Sequence, residues 1–527
     1  MVISVNSLDF PVGDLPPPSA PNLPRDDLHA TMMAIYASPA GNLCTHLNAV
    51  ASGVSVGQMA TTIARPDRGY AGTYNYFDPD NFLSTAALVW ANNPFLHTQV
   101  RAVLERSGQF LKSNGQLPHH FDHDKPVYQA LSGEIQTGPN VFWILSCLNY
   151  AKASQDLDWL RGYMPTLRHA SAFLFDLIDP ETSLANVPGS LMIDVFLRSN
   201  YTTDTNAMLV GFLREFADAE EHVSRNVSGA AHLRAIASSI SEAINVRLWA
   251  RGGLADDGGD GGDGGDADDD DDDGDHFVTQ WNGLKDDTTR DFVDYDANLI
   301  AAAYGVPSDI ARARALLRRV DAGRCRAGVT FVSEDYYGPN DTAHGNIGDS
   351  WCAMGRIAWF DALARKRYGD LKTFEDVILA PLQRLLLSTV WMHERLTCDG
   401  TQMLNRTAMY FEYPSTVAML LRQVKYGIDL GYSTVTITPF GPETFAYHLG
   451  NVDVDFSPKS ATITLPGTGE RAFTLSPMAP NANFSVTEQG AGCAKGERNG
   501  TAASDAGGTL RFSASVGRLC TLTVLAL

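Results

Sequence analysis

The chain has 527 residues, 44% of them hydrophobic and 9% aromatic, enough apolar matter for a large packed core, which excludes a disordered chain. Lys and Arg number 40 against 61 Asp and Glu, a net charge of −21, which argues against nucleic acid as a partner because phosphate binding needs a basic surface. Twelve aspartates and no base fall within 256–275, so more than half of the excess charge is local.

No apolar run of about 18 residues occurs, so no transmembrane helix and no membrane partner are expected. The opening MVISVNSLDFPVGDLPPPSAP has neither the basic start nor the apolar run of a signal peptide. Seven cysteines (Cys44, Cys147, Cys325, Cys352, Cys398, Cys493, Cys520) are never spaced C-x-x-C, which removes zinc and thioredoxin-like readings. Six N-x-S/T sequons, at Asn200, Asn226, Asn340, Asn405, Asn483 and Asn499, stand against a purely cytosolic reading. The expectation is a soluble protein, either cytoplasmic or secreted behind a signal that this sequence lacks.

In chain order, residues 1–26 read as an extension. Apolar positions at helical spacing then recur over 27–51, 80–91, 96–113, 138–153, 156–178, 203–221, 227–249, 294–304, 307–320, 349–369, 373–391 and 413–430. Segments such as FLSTAALVWA (82–91), VFWILSCLNYAKA (141–153) and ANLIAAAYG (297–305) are apolar or small on most faces. Their partners, such as RAVLERSGQFLK (101–112), carry one apolar stripe and one charged face. A helix that is apolar all round is buried, and a striped one sits outside. The alternation predicts a mainly α fold, an (α/α)6 barrel over 27–431 with two concentric rings. Links from inner to outer helix are short. Links from outer to inner helix are long and rich in aromatic residues, Gly, Asp and His, so six elaborate loops are expected on one rim. The segment 252–275 reads as a disordered acidic insertion; its repeats fit no EF-hand spacing. From about 432 the period changes to two, in YSTVTITPFG, NVDVDFS, SATITLPG, FSVTEQ, GTLRFSAS and LCTLTVLAL, which predicts a C-terminal antiparallel β-sandwich over 432–527.

Four local stretches carry a resemblance: GYAGTYNYFDPDNF (69–82), IDVFLR (193–198), GDSWCAM (348–354) and TVWMHER (389–395). Together with the alternating helices they resemble the six-hairpin glycosidases, the (α/α)6-barrel enzymes related to glucoamylase, trehalase and α-L-rhamnosidase. The stretch at 69–82 is similar to an aromatic-Asp loop lining a sugar site. IDVFLR resembles the acid-bearing loop before the sixth helix. GDSWCAM is similar to the Gly-Asn-Pro-Trp start of the tenth helix in glucoamylases, and TVWMHER to the Trp-Glu-Arg base loop of rhamnosidases. The resemblance implies a glycoside hydrolase, mostly inverting, acting on an oligosaccharide or glycoside without a cofactor.

That chemistry needs two carboxyl groups, one protonated and one ionised, about 6.5–9.5 Å apart in inverting enzymes. Asp194 lies in the apolar run SLMIDVFL, where a carboxylate must be paired or tuned for work; it is the candidate acid, and Arg198 is its expected partner. A glucoamylase-type Glu three residues on is absent, since Leu197 stands there. Glu394, after Trp391, is the favoured base, and Glu412 in MYFEYPS is its rival, or else a first-turn glutamate facing the helix dipole. Asp204 reads as a helix cap. Tyr76, Asp78, Asp80, Gln136, Arg198, Trp281, Asp296, Glu334, Asp335, Trp351 and Trp391 are expected to contact the sugar, because carboxylates grip hydroxyls and rings stack on its C–H faces. Asp294, Tyr336 and His344 lie on the same set of loops, and Asp294 and Asp296 also suit helix capping. PHHFDHD (118–124) invites a metal reading, but adjacent His119 and His120 suit no shared ion and no His pair has helical i,i+4 spacing, so no metal is expected. Two alternatives use the same barrel: an isomerase or polysaccharide lyase working through His119, His120 or His344, and a carbohydrate-binding protein without catalysis.

Overall fold

The computed structural model describes residues 79–90, 94–122, 125–129, 135–189, 191–192, 198–251, 273–290, 293–324, 355–389, 412–467, 469–490, 493, 498–516 and 520–527. Eleven α-helices lie among them: α1 (Pro79–Trp90), α2 (Pro94–Gly108), α3 (Gly138–Ser154), α4 (Leu157–Phe175), α5 (Thr203–His222), α6 (Val227–Arg247), α7 (Tyr295–Ala303), α8 (Ile310–Ala322), α9 (Gly355–Tyr368), α10 (Ala380–Thr389) and α11 (Glu412–Met419). A π-helical stretch, Thr373–Leu379, leads into α10, and another, Leu420–Lys425, prolongs α11.

The odd-numbered helices close a ring: α1 packs on α3, α3 on α5, α5 on α7, α7 on α9, α9 on α11, and α11 back on α1. The even-numbered helices lie outside: α2, α4, α6 and α8 each pack against the helix before, while the π-helical stretch Thr373–Leu379 packs on α9 and α10 follows it against α11. The sequence explains the division. In α3 nearly every residue from Gly138 to Ala153 is buried, Trp143 and Phe142 completely. In α6 only Ala230, Leu233, Ala237, Ile240 and Ile244 are buried, at spacings of three and four, so one stripe faces inward. The fold is thus mainly α, a two-ringed α/α barrel. The expected helix at 27–51 and the start of 349–369 lie outside the described residues, as does 252–272.

One expected boundary moves. The helix predicted to run to 430 ends at Lys425, and Ile428–Leu430 is already a strand, in an antiparallel hairpin with Thr434–Ile437. Gly427 makes the switch: its φ is +60°, and a Cβ there would lie 1.9 Å from the Thr438 carbonyl oxygen.

The C-terminal strands form two sheets. In the six-stranded sheet the order is Phe445–Leu449, Val452–Ser457, Ser460–Thr464, Thr521–Ala526, Asn483–Gln489, Arg498–Ala503, antiparallel throughout. The four-stranded sheet runs Leu510–Val516, Gly469–Leu475, Thr434–Ile437, Ile428–Leu430. Its central pair, Gly469–Leu475 with Thr434–Ile437, is parallel, a departure from the expected all-antiparallel sandwich. The chain crosses through the other sheet between these two strands, and only such a crossover brings strands together in parallel. A disulfide joins Cys493 to Cys520 with Cα atoms 4.8 Å apart. The sandwich sits where α3 and α11 end: Asn451 Nδ2 donates to the Ala153 carbonyl (2.8 Å), Arg422 to Asn451 Oδ1 (2.9 Å) and Gln155 Nε2 to the Gly431 carbonyl (3.3 Å). Among the described residues no helix is long and apolar enough to cross a membrane.

Candidate active site

The six inner helices begin on the same face, the one away from the sandwich, and cross-links between their first turns mark it. Thr137 and Thr205 hydroxyls approach to 3.4 Å, tying the start of α3 to that of α5. Ser415 of α11 and Ser84 of α1 do the same at 3.4 Å. A Cβ on Gly138 would lie 1.8 Å from the Leu191 carbonyl oxygen, so only glycine lets the loop before α5 press on α3.

Three inner helices, α3, α5 and α7, start differently from the outer helices α4, α6 and α8. Asp156, Asn226 and Asp309 cap α4, α6 and α8 by accepting backbone N–H bonds from Trp159, Gly229, and Ala311 with Arg312. Thr137, Thr202 and Asp294, which precede α3, α5 and α7, make no such side-chain cap. A buried asparagine in the first turn fastens each of these instead. Asn206 Oδ1 accepts from Ala185 N (2.7 Å), and its Nδ2 donates to Ala185 O (3.1 Å) and Thr202 O (2.8 Å). Asn298 repeats the pattern with Phe277 N (2.8 Å), Phe277 O (3.1 Å) and Asp294 O (2.9 Å). Asn140 accepts from Leu117 N (3.0 Å) and donates to the carbonyls of Gly115 (2.7 Å) and Ala170 (2.9 Å). Each amide thus clamps the incoming chain to its helix. None of the three is singled out by the sequence; the only signal is one asparagine near each helix start.

Between α5 and α7 a single guanidinium gathers three carboxylates. Arg198 contacts Asp296 in bidentate fashion (2.8 and 2.9 Å), Asp204 at 2.9 Å and Asp294 at 3.0 Å. Arg198 is 1% exposed and Asp296 0%. Burial pushes the Asp296 carboxyl above the usual carboxylate range, with Asp204 adding to it and Arg198 opposing. Burial works against the charge on Arg198, but Asp294, Asp296 and Asp204 outweigh it and hold the guanidinium well above its ordinary value. Arg198 and Asp296, expected to grip substrate hydroxyls, bond one another here in a dry ion cluster that pins the loop before α5 to the start of α7.

A second cation spans the other side. Arg356, at the start of α9, bonds Glu412 through its backbone N (2.5 Å), Nε (3.2 Å) and Nη2 (2.7 Å), and its Nη1 donates to the Met192 carbonyl (3.2 Å). Both oxygens of Glu412 therefore face one arginine, and the residue is 1% exposed. The geometry gives Glu412 a positioning role, joining α9 to α11, rather than the open carboxylate that a base needs. Met192 and Arg198 bracket the stretch containing Asp194.

Trp281, expected to stack on a sugar, is 2% exposed. Tyr201 lies at 5.0 Å between ring centroids, Arg247 lies 5.0 Å from the ring, and Nε1 donates to Asp287 (2.8 Å), so its faces are already used. Gln136 is buried just before α3, and Asp80 is the second residue of α1. His119 and His120 bring their Nδ1 atoms to 2.8 Å. Among the described residues no group of three or more His, Cys, Asp or Glu is placed to hold a metal ion. Asp194, Glu394, Tyr76, Asp78, Glu334, Asp335, Tyr336, His344, Trp351 and Trp391 lie outside the described residues.

No family model matches the chain, and no curated protein does. Solved structures do. The chain is similar to a GH78 family rhamnosidase of Bacillus sp. GL1, at 16% identity over 76% of this chain and 36% of that one, with a TM-score of 0.49. It is also similar to the GH63 mannosylglycerate hydrolase from Thermus thermophilus, solved in complex with glucose, at 13% identity over 72% of this chain and 99% of that one (TM-score 0.48). A bacterial glucoamylase complexed with acarbose matches at 14% identity over 70% of this chain and 52% of that one (TM-score 0.48). The chain spans roughly a third to just over half of the length of three rhamnosidases that it matches, at 36%, 57% and 49%.

Proposed function

We propose that this chain is a glycoside hydrolase that cleaves an O-glycosidic bond of an oligosaccharide or glycoside with inversion. Asp194 gives its proton to the leaving oxygen while Glu394 draws a proton from water on the opposite face of the ring. Tyr76, Asp78, Asp80, Glu334, Asp335, Trp351 and Trp391 supply ring faces and hydroxyl partners. The observation that carries the reading is the common face on which all six inner helices begin: every long connector precedes an inner helix, so the residues they bear serve one mouth. Two buried arginines support it further. Arg356 bonds the carbonyl of Met192 and Arg198 anchors to α5 and α7, so fixed points stand on both sides of Asp194. Rigid anchors of this kind are what a group needs to be held within a fraction of an ångström of a reacting atom.

The test is a screen of aryl glycosides and disaccharides with the intact chain, followed by Asp194→Asn and Glu394→Gln. Each substitution is expected to lower kcat on the accepted substrate by about 10²–10⁴-fold with the fold intact. Unchanged turnover in both variants overturns the assignment.

A further inference from the structure

The proposed reaction makes no use of the N-x-S/T sequons. Asn340 and Asn405 lie outside the described residues; the other four differ sharply in environment. Asn226 is the cap of α6: its Oδ1 accepts from Gly229 N (3.0 Å) and its Nδ2 donates to Glu220 Oε2 (3.1 Å). Asn200 is half-buried at φ +62°, next to the Arg198 cluster, and its Nδ2 donates to Asn282 Oδ1 (3.0 Å). A bulky group on either Nδ2 would displace these partners.

Asn483 and Asn499 are exposed, on adjacent antiparallel strands of the six-stranded sheet. The register sets Ser485 opposite Thr501 and Thr487 opposite Asn499. Side chains alternate along a strand, and Phe484 and Val486 point into the sandwich. Asn483, Ser485, Asn499 and Thr501 therefore share the outer face, with each sequon's hydroxyl on the same side as its asparagine. Arg498–Ala503 ends the sheet among the described residues. The same sheet supplies an independent observation, the Cys493–Cys520 disulfide. Disulfides persist in oxidising compartments, which in eukaryotic cells include those where asparagine is glycosylated.

We infer that Asn483 and Asn499 carry N-linked glycans and that Asn200 and Asn226 stay bare. The modification joins Nδ2 to the anomeric carbon of a lipid-linked oligosaccharide pyrophosphate. The N–C1 bond forms, the C1–O bond to phosphate breaks, the amide gives up one proton, and the lipid pyrophosphate leaves. The two acceptors stand about 13 Å apart along the strand direction, at four residues of strand rise. Two glycans there shield the outer face and the last strand, whose backbone edge would otherwise be a template for pairing with another chain.

The experiment directs the full chain through the secretory pathway of a eukaryotic host behind an added leader. The secreted protein is treated with peptide-N-glycosidase in heavy-oxygen water, which marks each occupied asparagine as labelled aspartate. Labelled positions 483 and 499 with unlabelled 200 and 226 are expected, and Asn483→Gln and Asn499→Gln should each remove the mass of one glycan while the protein is still secreted. A secreted, folded chain in which Asn483 or Asn499 is unlabelled, or in which Asn200 or Asn226 is labelled, overturns the inference.

Discussion

Three aspartates around Arg198 give the rim an unusual charge balance. With all three ionised the cluster is net negative and dry, and the guanidinium is what holds it together. Substituting Arg198 by Leu removes the cation that contacts all three. The expected cost is about 3–5 kcal/mol at neutral pH, read as a fall in urea midpoint. The pH dependence has a definite sign. Asp296 already sits above its ordinary value with Arg198 opposing the rise, so without Arg198 its folded-state value climbs further: the variant is relieved by protonation at low pH and loses stability as pH rises through that folded value. The deficit against the parent protein should therefore be smaller at pH about 5 than at about 8. A deficit that is the same at both pH values contradicts this account of the cluster. On the proposed function Arg356 bears on turnover, since it links Glu412 to the carbonyl of Met192, two positions before Asp194 in the chain. Arg356→Lys keeps the charge but cannot reproduce the fork, so kcat should fall while KM changes little.

At the scale of the helix, the asparagine clamps replace the ordinary cap on α3, α5 and α7. Asn206→Ala and Asn298→Ala each take away the side-chain partner of one backbone N–H and one carbonyl, those of Ala185 and of Phe277, in a buried site, at an expected cost of about 1–3 kcal/mol apiece; thermal melts of the single variants measure it. A cost no larger than that of an alanine substitution on the exposed face of α6 would show the clamps to be incidental. These clamps also mark where sequence reading stops. The alternation of all-round apolar and striped helices is legible because burial writes itself into every third or fourth residue over a whole element. A clamp is one asparagine per helix, and its partners, such as Ala185 and Phe277, are distinguished only by their backbone. Local sequence pairs Arg198 with Asp194, four positions away. One of its actual partners, Asp296, lies 98 residues on, a distance at which no local pattern speaks. The strand Ile428–Leu430 reads as helix because IleAspLeu suits either period, and the deciding feature is the left-handed turn at Gly427. The strands Phe445–Leu449, Gly469–Leu475 and Arg498–Ala503 are hidden for a related reason: Gly, Ala and charged residues dilute their alternation.

Across the whole molecule, barrel and sandwich share one apolar core. Tyr426, just past the last barrel helix, meets Phe445 at 5.0 Å and Tyr447 at 5.6 Å between ring centroids, and Phe374 of the π-helical stretch before α10 meets Phe440 of the sandwich at 5.6 Å, so rings from the two parts interlock. Asn451 adds a polar tie to both Ala153 and Arg422. The two parts should therefore unfold in one calorimetric transition; two separable transitions would show the interface to be weak. With the sandwich occupying the end where α3 and α11 finish, the opposite end, where all six inner helices begin, is left to the connectors. The proposal that a sugar is cleaved there is tested most directly by proton NMR of the first product formed from an accepted glycoside of known anomeric configuration. The reducing sugar is expected to appear first as the opposite anomer and only later to mutarotate. Initial release of the same anomer, or no hydrolysis of any glycoside, contradicts it.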